Sequence, residues 1–252
     1  MVADWFALPA GVMIATIVSA VGIGGGILWM PFLLLLMKLG KDTVIVTSLL
    51  IQVAGMGSAT FAFWNKNMVV ASLAPVLLLS AVPGLILGAI LAGMLSMANL
   101  ELILGAFSLA TAFLFVSSGQ GYTDTGRSRV KVRELLPYSW AVAAMAVASG
   151  MLSISIGEWL IPLLRGRLGL KMNLAVATSI ATIFGICVAA AAIHLAMGAR
   201  ADLGILAWAV PGVLVGGQIG PKINEKINDR KLKEIFIFLL TLVAIHMIYN
   251  AY

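Results

Sequence analysis

Four glycines fall within five positions in Gly22-Ile23-Gly24-Gly25-Gly26. No side chain covers the backbone amides there, so a ligand can approach them closely. Where such a run opens a helix, the first amides have no intrahelical partner and the helix dipole adds positive potential. That is chemistry for an anion held by N–H groups rather than by a fixed charge. A serine version stands at Ser153-Ile154-Ser155-Ile156-Gly157. Ser153, Ser155, and the pairs Thr47-Ser48 and Thr178-Ser179 would supply hydroxyl donors. Such hydroxyls also bond their own backbone or a neighbouring helix, so both roles stay open for the Thr-Ser pairs. Gln52 lies one turn past Ser48 on the same helix face, where interhelical bonding is the expected job.

Glu158 follows Gly157 directly. A carboxyl group in an apolar segment can exchange a proton. Ser155-x-x-Glu158 also fits a capping box, and the two roles are compatible. His194 and His246 lack ligand spacing, so each reads as structural and no metal is expected. The single cysteine, Cys187, excludes an intramolecular disulfide and a cysteine metal site. There is no Ser/His/Asp set and no Walker motif, which disfavours an enzyme, a cofactor and direct ATP drive. The glycine run is not a dinucleotide fingerprint, because position 27 is Ile and no strand precedes it.

The elements that carry these residues are strongly apolar. The chain has 252 residues, 62% hydrophobic and 10% charged. A soluble domain carries about 25% charged residues. Thr43 to Trp64 and Met68 to Asn99 contain no charge at all, and about 20 apolar residues cross a bilayer. The reading is an all-α, multi-pass membrane protein with no separate soluble domain. The net charge of +6 sits in short loops, which points to topology control rather than to nucleic acid. Met1 to Pro9 carry Asp4 and no Lys or Arg, unlike a cleaved signal, so the first apolar segment is expected to be kept.

The chain also matches itself. At an offset of 131, Ile23, Gly26, Pro31, Thr47 and Ser48 meet Ile154, Gly157, Pro162, Thr178 and Ser179. At an offset of 128, Pro83-Gly84-x-x-x-Gly88 meets Pro211-Gly212-x-x-x-Gly216. Two repeats follow, 1–118 and 135–252, joined by a basic linker at 119–134. Each opens with a broken apolar stretch, 8–37 or 138–164. Three whole segments come next: 43–64, 68–95 and 98–116 in the first repeat, and 173–197, 203–220 and 232–249 in the second.

As one helix, 8–37 would be about 45 Å long, against a hydrocarbon core of about 30 Å. It is either a tilted, kinked span or a re-entrant pair of half-helices. Loop charge decides between them. If both broken stretches span, the sixteen Lys and Arg residues split six against ten. If both are re-entrant hairpins, they split thirteen against three, with only Lys38, Lys41 and Arg200 on the sparse face. The second split obeys the positive-inside rule. It puts both termini outside and the linker in the cytoplasm. Three crossings per repeat then make the repeats inverted, and broken helices in inverted repeats mark secondary transporters. The new half-helices should run about 27–37 and 158–164.

Gly-Ile-Gly-Gly-Gly-x-x-x-x-Pro at 22–31, the Thr-Ser pair at 47–48, the second copy near 157–179 and the two Pro-Gly-x-x-x-Gly elements together resemble the sulfite exporter TauE/SafE family, also called the TSUP or toluene sulfonate uptake permease family. The resemblance covers nearly the whole chain. It implies carriage of small sulfur-containing or organic anions across the inner membrane of a prokaryote. The second repeat departs from the pattern, with Ser153, Ser155 and Glu158 where a glycine run would stand, so substrate and coupling can differ from those of a typical member.

The expected substrate site is therefore Gly22, Gly24, Gly25, Gly26, Thr47, Ser48, Ser153, Ser155, Gly157, Thr178 and Ser179, with Glu158 as the proton-coupling candidate. Partners are a small anion and the lipid bilayer, and a homodimer is compatible. The leading function is secondary transport of small anions such as sulfite or organosulfonates, in either direction. An anion channel and a proton-coupled permease for small carboxylates are the alternatives.

Overall fold

The computed structural model describes residues 3–21, 24–117, 126–224 and 229–250. Among these the chain is helical, with one isolated bridge between Arg127 and Leu170. Helix α1 (Ala7–Val21) leads to the first break. Helix α2 (Gly26–Pro31) follows and continues as a π turn, Phe32–Leu36. Then come α3 (Lys41–Asn65), α4 (Ala74–Met94) and α5 (Met97–Ser117). After the linker a short α6 (Val132–Leu135) precedes α7 (Ser139–Leu152) and the second break. Helix α8 (Gly157–Pro162) runs into a second π turn, Leu163–Arg167, followed by α9 (Met172–Ala196), α10 (Leu203–Asn224) and α11 (Asp229–Asn250).

Element bounds recur at the offset of 131. The offset carries α2, its π turn and α3 onto α8, the second π turn and α9. It also relates left-handed residues: Lys38 (φ 54°) to Gly169 (φ 68°), and Asn67 (φ 55°) to Gly198 (φ 93°). The π turns have a local cause. Pro31 and Pro162 sit inside their helices, lack an N–H and crowd the preceding turn. The next turn widens, so Met37 N–H reaches Phe32 O and Leu168 N–H reaches Leu163 O, each five residues back.

Among the described residues, five helices are long and apolar enough to cross a membrane: Lys41–Asn65, Ala74–Met94, Val132–Leu152, Met172–Ala196 and Leu203–Gly220. The third corresponds to a leg expected to be short. Its first turns bear Arg133 and Glu134, and Arg127 pairs with Glu134 at 2.6 Å. Glu134 Oε1 also accepts from the Lys131 amide at 3.2 Å.

Glycines set the helix pairing. A Cβ on Gly212 would fall on Leu8 O, one on Gly216 on Val12 O, and one on Gly220 on Ser19 Oγ. Contacts therefore climb α1 and α10 together, and the two helices run parallel. Helices α4 and α7 repeat the arrangement, with Gly84 against Ala143 O and Gly88 against Val147 O. Both Pro-Gly-x-x-x-Gly elements are thus faces where backbones touch, as small residues permit in membranes. Each broken stretch packs on a helix of the other repeat.

Two loop bonds fix the directions. Just past the end of α3, Val70 N–H donates to Thr178 Oγ1 near the start of α9, at 3.0 Å. Just past the end of α9, Asp202 N–H donates to Thr47 Oγ1 near the start of α3, also at 3.0 Å. Helices α3 and α9 therefore point in opposite directions. Asp4, ahead of α1, lies beside Gly204 at the start of α10. So α1, α3 and α10 all start from one face, and the chain between α1 and α3 has to turn back to it.

The same contacts group the loops. Asn67, Ser128, Arg129 and Lys171 share a cavity on one face, and Lys41 and Arg200 share one on the other. A labelling experiment checks this grouping. Arg200→Cys and Lys38→Cys, both at exposed positions, are expected to react with a membrane-impermeant maleimide from one face. Ser128→Cys should react only from the opposite face. Cys187 is buried and should stay silent. Reaction of Arg200→Cys and Ser128→Cys from the same face would require the broken stretches to cross the membrane whole.

Candidate functional site

Both breaks are built by their own residues and then pressed together. Gly25 caps α2 with φ −78° and ψ −12°, without a side-chain cap bond. Its carbonyl accepts from Leu28 and Trp29 N–H at 3.1 and 2.8 Å. The amides of Gly26 and Ile27, ahead of those bonds, have no helical partner. In the second break Ser153 closes α7 in a left-handed conformation (φ 56°), and Ile156 caps α8. Its carbonyl accepts from Trp159 and Leu160 N–H at 3.1 and 2.8 Å. The amides of Gly157 and Glu158 are the corresponding helix start.

Gly24 meets Ser155, its own counterpart at the offset of 131; a Cβ there would fall on Ser155 Cβ and Oγ. A Cβ on Gly26 would fall on Ser153 O and lie 3.0 Å from Gln52 Nε2. The glycines therefore serve close approach of one break to the other. Gln52, on α3, closes the junction. Its Nε2 donates to Ser153 O at 2.9 Å and to Ser153 Oγ at 3.0 Å. Ser153 Oγ in turn donates to Ser48 Oγ at 3.0 Å.

This junction is buried: Ser48 is 0% exposed, Ser153 1%, Gln52 and Ser155 2%. It is also incompletely bonded. Gln52 Oε1, Ser155 Oγ and Ser179 Oγ are buried with no hydrogen-bond partner. Each such group costs about 1–3 kcal/mol while unsatisfied. Gln52 Oε1 and Ser155 Oγ belong to the side chains that meet at this junction.

Of the expected site residues, Gly24, Gly25, Gly26, Ser48, Ser153 and Ser155 come together. Ser179 sits one turn before Ile183, whose Cγ2 lies 3.4 Å from the Cβ position of Gly24. Gly157 opens α8. Gly22 lies outside the described residues. The hydroxyls of Thr47 and Thr178 accept from loop amides at opposite faces. Gln52 does bond between elements, and its partner is the break itself.

The capping box is not realised. The N-cap is Ile156 rather than Ser155, which puts Glu158 one position short of where the box requires it, and Ser155 Oγ has no partner. The Glu158 side chain lies outside the described residues. His194 is structural as expected: its Nε2 is 2.7 Å from Gly150 O and ties α9 to α7. Trp29 is a neighbour that spacing did not single out, with Cδ1 3.0 Å and Nε1 3.5 Å from the Cβ position of Gly25.

Cavities open on both faces. One, of about 420 Å³, is lined by Lys41, Asp42, His194 and Arg200 among others. The other, of about 480 Å³, is lined by Asn67, Ser128, Arg129, Lys171 and Asn173 among others. At the offset of 131, Asp42, Thr43, Gly198 and Arg200 of the first cavity pair with Asn173, Leu174, Asn67 and Val69 of the second.

Broken helices joined inside an apolar bundle, below a cavity on each face, define a multi-pass membrane transporter rather than an enzyme. The chain belongs to the sulfite exporter TauE/SafE family, whose model matches residues 7–247. It is similar to the probable membrane transporter protein YunE of Bacillus subtilis (strain 168), with 24% identity over 261 residues and 95% of each chain covered. No solved structure matches it.

The junction generates a compensation test. Gly24→Ala places a methyl group on Ser155 and is expected to destabilise the detergent-purified protein by about 1–3 kcal/mol. Ser155→Gly, added to it, should recover most of the lost thermal stability by vacating that space. A double variant no more stable than Gly24→Ala would show that the two breaks do not touch there.

Proposed function

We propose that the protein is a secondary transporter of small anions, with sulfur oxyanions and organosulfonates such as sulfite as its substrate class. The observation that carries this reading is the buried junction. Two half-helix starts meet beside the unpartnered hydroxyl of Ser155 and the unpartnered Oε1 of Gln52. Free amides, hydroxyls and helix dipoles together favour a negative ligand with several acceptor oxygens. The family's description supplies the sulfur chemistry.

The transport path in this reading runs from one cavity to the other through the junction. The repeats are inverted, a reading supported by the opposed α3 and α9. Each break is a re-entrant pair, and rocking of one repeat against the other opens the junction to alternate faces. The basic face, with Arg129 and Lys171, is cytoplasmic. Glu158, second residue of α8, exchanges the coupling proton. A neutral Glu158 leaves the helix start free for the anion, and an ionised one competes with it.

Proteoliposomes test the reading. Purified protein should accumulate labelled sulfite against its gradient when a pH gradient is imposed. Ser155→Ala and Ser179→Ala should each weaken uptake by about tenfold, the cost of one good hydrogen bond. Flux that only ever runs down the anion gradient would identify a channel instead. Binding of small carboxylates but of no sulfur anion would move the substrate class.

Glu158→Gln keeps the side chain's shape but removes its titration. It is expected to bind the anion and to lose the response of uptake to a pH gradient. A response equal to wild type would remove Glu158 from the proton path.

A further inference from the structure

Gln52 carries more information than a bridge between helices. Its Nε2 faces Ser153 O at 2.9 Å, and a carbonyl can only accept, so the amide cannot be turned over without breaking that bond. Gln52 Oε1 is thereby held in one direction. It is buried and has no partner, although Nε2 and Cγ of the same side chain lie against the start of α2. Among the buried side-chain atoms of the described residues that have no partner, Gln52 Oε1 is the one oxygen that can only accept; the other oxygens are hydroxyls. An oxyanion with acceptor oxygens alone would meet this atom with a lone pair. A ligand bearing its own O–H or N–H would satisfy it.

We infer that Gln52 is a specificity residue that selects anions carrying a hydrogen-bond donor, such as hydrogen sulfite or an amino- or hydroxy-substituted sulfonate, over anions that only accept. The inference rests on the anion-site reading above and deepens it. Its physical basis is asymmetric. A site built around a buried polar atom rejects a ligand that leaves it unpaired more strongly than it rewards one that pairs it. The second repeat has Ile183 where the first has Gln52, so the acceptor appears on one side of the junction only. Hydroxyls of Ser155 and Ser179 can rotate to suit either ligand, which leaves discrimination to the fixed amide.

Sulfamate and methanesulfonate form a matched pair for the test. Both are singly charged sulfonates of similar size at neutral pH, and they differ in an NH2 against a CH3. Binding of each to purified full-length protein is measured by calorimetry, with sulfite as reference. The wild-type protein is expected to bind sulfamate about tenfold more tightly than methanesulfonate, and Gln52→Met to bring the ratio close to one. Equal binding of the pair by the wild type overturns the inference and leaves the anion site standing. An unchanged preference in Gln52→Met overturns it too, by placing the acceptor elsewhere. If sulfamate, methanesulfonate and sulfite all fail to bind, the anion site itself is wrong and the inference falls with it. The wild-type ratio decides the matter even if Gln52→Met does not fold.

Discussion

A polypeptide amide in an apolar interior must find an acceptor, and this constraint organises the molecule. A continuous helix meets it automatically; a broken one does not. Two breaks in one bundle leave two sets of free N–H groups and carbonyls at depth. The protein brings the breaks together, so that part of each is satisfied by the other. Ser153 O, left over at the end of α7, accepts from Gln52. The glycines at 24 and 26 exist because this mutual approach leaves no room for a side chain. What the breaks leave unsatisfied between themselves includes Ser155 Oγ and Gln52 Oε1.

The halves are alike in backbone and unlike in chemistry. Gly24 faces Ser155, and Gln52 answers to Ile183. Placing the serines in one break and the glutamine on the opposing α3 lets them bond each other across the junction, which two identical halves could not do. The amide of Gln52 also compensates for Ser153 being left-handed. A serine in that conformation is strained by about 1–2 kcal/mol, and here both its carbonyl and its hydroxyl are held.

Much of this was legible beforehand, for physical reasons. Helical segments showed as uncharged runs, because charge is excluded from the bilayer core. The repeat showed at an offset of 131 because backbone geometry tolerates little change at Gly26, Pro31, Ser48 and their partners. The breaks showed because glycine and serine runs are poor helix. Contacts between distant elements were not legible. Nothing in the spacing of Thr47 and Thr178 says that their hydroxyls take loop amides, and Ser155-x-x-Glu158 reads as a cap although α8 starts one residue too late for it. The π turns after Pro31 and Pro162 were also hidden, since a proline inside a helix admits several local responses. Gln52 was visible as a polar residue on the correct face, but its partner lies about a hundred positions away.

The parallel glycine seams have a consequence for biogenesis. Leu8 and Val12 are made some two hundred residues before their backbone partners, Gly212 and Gly216. Throughout synthesis α1 must wait with its packing face uncovered, and a fifteen-residue helix is too short to hold a stable transmembrane position by length alone. Helix α7 has the opposite fate, because α4 is already in place when it emerges. Helix α1 gains its seam only when α10 arrives, so a truncated chain lacking α10 leaves the N-terminal hairpin as a ready substrate for membrane quality control.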